Sequence, residues 1–165
     1  YLVWGLAITK VMETLETENN VLSTLQMWGA GTTTMIFIIP CAIWLTATFR
    51  ADTLEPTTLQ IIFDLGWMIF DLAFALTTVQ MIAMGVCFLG DKRAVPLMPK
   101  WLAWFTMWVG FLFFCEVLNP FFKGGAFSRS GMLNYWIEFS AFFGFMLFVS
   151  IYILKAITRL EQERA

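Results

Sequence analysis

Asp64 and Asp71 each stand in the middle of a Phe-Asp-Leu tripeptide, inside a long run that is otherwise apolar. Seven residues at about 100° each bring a helix back to within about 20° of its starting direction, so the two carboxylates share one face. Gln60, Trp67 and Thr78 continue that face in both directions. Two carboxylates about 10 Å apart along a helix could serve general acid–base work. Hydrocarbon cannot satisfy such a stripe, so it must meet protein or water.

Other chemistry is thinly represented. The chain has no histidine, the usual ligand of haem iron, chlorophyll, copper and catalytic zinc and the commonest general base. Its three cysteines, Cys41, Cys87 and Cys115, are tens of residues apart in apolar runs, with no CxxC pair. They read as small hydrophobes rather than metal ligands. The serines have no recognisable base, and no phosphate-binding loop is present. The expectation is therefore no catalytic residue, no metal ligand and no cofactor held by this chain, although bound lipid fits. A net charge of −2 without a basic patch speaks against nucleic acid as a partner.

The elements that must position the carboxylates are membrane helices. With 59% hydrophobic and 13% charged residues and a mean hydropathy of +0.75, the 165-residue chain lies far from soluble composition. It reads as all-α, a single transmembrane helical domain. Spans are expected near 25–49, 62–89, 101–118 and 132–154, with the end of another at 1–9. Because Tyr1 opens inside an apolar segment, the sequence reads as truncated or processed at its N-terminus. Gly29, Gly31 and Thr32 to Thr34 form a small-residue patch suited to close helix approach, and Pro40 should kink its helix. Thr53, followed by Glu55 and Pro56, reads as an N-cap. Trp101 and Trp104 are placed as interfacial anchors, and Arg159 and Glu163 are spaced to pair on a helical tail.

Alternation of spans sorts the charges. One end, with the Lys10 turn, the Asp91–Lys100 loop and the tail, holds Lys10, Lys92, Arg93, Lys100, Lys155, Arg159 and Arg164. The other holds only Arg50, Lys123 and Arg129, which by the positive-inside rule puts the basic end and the C-terminus in the cytoplasm. Glu116, near the end of one span, and Glu138, near the start of the next, then join Asp64 and Asp71 in the outer half. Four explanations are open for this cluster. The acids could pair with Arg50, Lys123 and Arg129, meet another membrane chain, line a proton- or cation-coupled cavity, or hold a hard cation through oxygen ligands. The 18% aromatic content supplies packing surface for lipid, flat apolar molecules or a protein partner.

The stretches Phe63-Asp64-Leu65-Gly66-Trp67, Pro99-Lys100-Trp101 and Asn119-Pro120-Phe121-Phe122-Lys123-Gly124-Gly125-Ala126-Phe127 resemble small uncharacterised multi-helix membrane proteins of steroid- and hydrocarbon-degrading bacteria. The resemblance implies a helix or more upstream and a lipid- or steroid-linked role. It carries over no catalytic residue. The expected function is a non-catalytic helical subunit or accessory protein of a larger membrane complex, its partners being lipids and other membrane subunits. The alternative is a small transporter or lipid- or steroid-handling protein using Asp71 and Glu116. A third is a membrane enzyme with an oxygen-ligated metal.

Overall fold

The computed structural model describes residues 1–16 and 18–164, the last by its backbone alone, so the contribution of the Arg164 side chain to the basic end lies outside the described residues. Six α-helices follow in order: α1 (Leu2–Glu13), α2 (Val21–Phe49), α3 (Pro56–Ala73), α4 (Ala75–Leu89), α5 (Lys100–Leu112) and α6 (Glu138–Arg164). A 3₁₀ stretch, Phe113–Phe121, extends α5, and a π-helical stretch, Met132–Ile137, leads into α6. No strand occurs among the described residues. Four helical stretches are long and apolar enough to cross a membrane: Val21–Phe49, Pro56–Leu89, Lys100–Phe121 and Met132–Glu163.

Local chemistry sets most boundaries. α2 begins at Val21, four residues ahead of the expected span, because the Glu16 carboxylate accepts from the Leu22 and Ser23 amides at 2.8 and 2.9 Å and satisfies two of the free N–H groups of its first turn. α2 runs on through the buried Pro40 to Phe49. Thr53 is not the cap of α3: its hydroxyl bonds the Arg50 carbonyl, and Glu55 takes the cap position with Pro56 at the first helical site. The last helix continues beyond the span into the expected helical tail, which carries the Arg159–Glu163 pair at 2.8 Å.

Helices touch where glycines let them. A side chain at Gly5 would meet Ala30, one at Gly66 the Trp44 indole, and one at Gly85 the Met107 side chain. Gly29 lies against Gln80, joining α2 to α4, and Gly110 lies against Met81, joining α5 to α4. Close backbone approach at small residues is how helices gain packing energy where lipid is as apolar as the core. Of the expected small patch, Gly29 is such a contact, whereas Gly31 faces open space. Arg159 donates to the Val95 carbonyl, and α6 lies along α1 near Lys10, so the basic loops and the tail gather at one end. The 50–55 and 121–131 connections gather at the other, the acidic end, where Arg129 reaches α3.

Candidate functional site

At the acidic end, three chain segments leave regular α-geometry at one level. The break between α3 and α4 falls at Phe74, where the Phe74 amide bonds the Asp71 carbonyl. α5 tightens into the 3₁₀ stretch that holds Glu116 and Asn119. Its cause is in the sequence, since Pro120 offers no N–H to the Glu116 carbonyl and its ring crowds that oxygen. The π-helical stretch ends at Glu138. Irregular backbone at membrane depth is tolerated where it is buried in protein or lines a cavity, and π-segments recur at functional sites.

The outermost layer is a polar vestibule of about 440 Å³, lined by Gln60, Asp64, Asn119, Lys123, Ser128 and Arg129 among others. Asp64 accepts from Arg129 at 2.9 Å and from Gln60 at 2.8 Å. The guanidinium also lies over the Phe63 and Trp67 rings, 5.8 and 5.5 Å from their centroids. The loop that presents Arg129 is tied by its own backbone. Gly125 adopts φ +88°, Ser128 bonds the Gly125 carbonyl through N–H and hydroxyl, and the Leu133 amide bonds the Ala126 carbonyl.

Asn119 forms the floor. Its side-chain amide donates to an Asp71 oxygen, so one residue lines the vestibule and touches the acid beneath it. Asp71, Glu116 and Glu138 are all buried, at 5%, 1% and 1% exposure. The carboxyl groups of Glu116 and Glu138 come within hydrogen-bonding reach of each other. Among the described residues, neither Glu138 oxygen has a donor from another residue, nor has Glu116 Oε2. One turn before Glu138, the buried Asn134 leaves both polar side-chain atoms without a partner.

The residues singled out by spacing thus separate. Asp71, Glu116 and Glu138 are buried in the interior, with Glu116 and Glu138 paired and Asp71 bonded to Asn119 nearby, while Gln60 and Asp64 stay in the vestibule. Thr78 is buried elsewhere, its hydroxyl donating to the Gly110 carbonyl at 2.8 Å between α4 and α5. Among the basic candidates, Arg129 pairs with Asp64, Arg50 lies over the Phe49 ring, and Lys123 lines the vestibule without an ion pair among the described residues. No group of three or more acids and cysteines converges on a common metal position among the described residues.

Several polar residues were missed from sequence. Asn119 and Asn134, at the irregular ends of two spans, are one set. The other is Thr9, Gln26, Thr77 and Gln80, buried between α1, α2 and α4 beside Thr33 of the expected small-residue patch. An isolated glutamine in each of two uncharged runs was the available signal. No family model, curated protein or solved structure matches the chain.

Proposed function

We propose that the chain is a small membrane protein that takes up and releases a proton at the Asp71–Glu116–Glu138 cluster, as the coupling site of a transporter would. One observation carries this reading: Glu116 and Glu138 face each other in the interior and find no other donor among the described residues. Two carboxyl groups in mutual contact and cut off from water need a proton or a cation between them. The occupant argued for is the proton, which two carboxyl groups share in a single hydrogen bond, whereas a hard cation takes about six or more oxygen ligands. A carboxylate at mid-membrane costs about 2.5–3.5 kcal/mol on insertion scales and less toward the interface, and burying three of them in one half favours a role beyond packing. We place the basic end in the cytoplasm on the charge count, so the vestibule opens outward.

The test is proton exchange by protein reconstituted in nanodiscs, followed with an indicator dye after a pH step. Wild type should exchange about one proton per chain more than the Glu116→Gln/Glu138→Gln double variant. Equal exchange would reduce the cluster to interhelical glue.

The accessory-subunit reading has its own support in the exposed stripe Trp101, Trp104, Trp108 and Phe111 along α5, spaced for one helix face. A partner helix covering it would give a stable assembly larger than one chain after gentle detergent extraction. Mass by light scattering decides between that and a lipid-facing stripe.

A further inference from the structure

The acid cluster rests on a layer of four phenylalanines, and a second buried polar network lies beneath that layer. Phe74 is three residues beyond Asp71, Phe142 four beyond Glu138, and Phe113 three before Glu116. Given the direction of each helix, all three step one turn toward the basic end. Phe74 stacks on Phe113 at 5.0 Å and meets Phe37 of α2 at 5.8 Å and Phe142 at 6.3 Å, while Phe113 and Phe142 meet at 5.5 Å.

The next layer is polar. The Tyr1 hydroxyl donates to Gln80 Oε1 at 3.0 Å, and the Thr33 and Thr77 hydroxyls share a bond of 2.8 Å. Nearer the basic end, Thr9 donates to Gln26, and Thr9 lines an open groove of about 420 Å³ with Glu13, Thr24, Met27, Trp28 and Gly31. Gln26 and Gln80 are fully buried, yet each leaves its side-chain nitrogen unpartnered. Packing alone gives no reason to bury two such amides in line between that groove and the phenylalanine layer.

We propose that the two networks are halves of one proton path across the membrane, closed at the phenylalanine layer, with Phe74 as its gate. This rests on the reading of the acid cluster as a proton site. Phe74 stands at the break between α3 and α4, and Phe113 begins the 3₁₀ stretch, so two of the four rings are mounted where the backbone ladder is interrupted. A layer of such rings excludes water and stops proton movement until one ring turns aside. In each passage a carboxyl O–H breaks at the cluster, its proton leaves on a water molecule as hydronium, and the carboxylate that remains takes the next proton through the vestibule. Nothing is oxidised or reduced.

The experiment uses full-length protein in phosphatidylcholine vesicles that enclose a pH indicator, with an imposed pH step. Phe74→Ala should dissipate the step about tenfold faster than wild type, and adding Gln80→Leu or Asn119→Leu should slow it again. A folded Phe74→Ala protein no leakier than wild type overturns the path, even if the cluster exchanges protons in nanodiscs. A leak that survives Glu116→Gln/Glu138→Gln also overturns the proposal, because the acid cluster is then no half of the path. Should Phe74→Ala not fold, thiol labelling decides in a background where Cys41, Cys87 and Cys115 are alanine. A membrane-impermeant reagent should reach Asn119→Cys from one face only and Thr9→Cys from the opposite face only. Labelling of both from the same face overturns the proposal.

Discussion

Replacing Gly29 with alanine should force α2 away from α4, whereas the same change two residues along, at Gly31, should not. A Cβ at Gly29 would fall 2.5 Å from Gln80 Cβ, 3.0 Å from its Cα and 3.2 Å from its amide nitrogen. Ordinary carbon contacts lie at about 3.5–4.0 Å, so the helices must part by about 1 Å. Two of the three atoms are backbone, and no rotamer change can move them aside. At Gly31 nothing lies within 4 Å of the added carbon. Both variants gain the same helix propensity, about 1 kcal/mol, so their difference isolates the packing cost. Overpacking of this kind costs about 1–3 kcal/mol. Parting the helices would also stretch the Thr33–Thr77 bond, adding about 0.6 kcal/mol. Reversible unfolding of the two single variants in mixed detergent micelles measures that difference. A Gly31→Ala protein as destabilised as Gly29→Ala, or more so, would refute the α2–α4 contact and with it the placement of Gln80 and Thr33.

The same titration checks three further expectations. Arg129→Ala should cost no more than about 1 kcal/mol, because the Arg129–Asp64 side chains are 38% and 44% exposed and solvent screens them. Glu138→Gln should leave stability unchanged or raise it by up to about 1 kcal/mol, since an amide gives Glu116 the donor it lacks; a clear loss would mean that the pair is a structural bond. Thr33→Val should cost about 0.6 kcal/mol and at most about 1.7, the range for hydroxyl bonds between membrane helices.

Much of the site could be read in outline from the chain. Asp64, Asp71, Glu116 and Glu138 stand out because charge is costly in an apolar run, and helix alternation alone carries them to one end. Their sorting into an exposed pair and a buried trio was not legible. Helix phase places Asp64 and Asp71 on one face, but it does not say that Arg129 covers the first and Asn119 the second. Nor could it choose Arg129 over Arg50 and Lys123, since all three share that end. Asn119 and Gln80 escaped notice because an amide in an apolar segment carries no net charge and little hydropathy signal.

Composition and period by themselves determined the all-helical architecture, the four long apolar helices, and the end of the bundle at which each charge sits. These are one-dimensional properties, fixed by how far a residue lies along its helix. The tertiary structure alone decided which residues meet across helices. It set Gly29 against Gln80, stacked Phe74 on Phe113, and turned Glu116 and Glu138 toward each other. It also broke the Pro56–Leu89 stretch at Phe74, where neither proline nor glycine marks the chain. The reason is rotational: depth in the bundle follows from residue number, but the azimuth of each helix follows from the packing of all its neighbours at once.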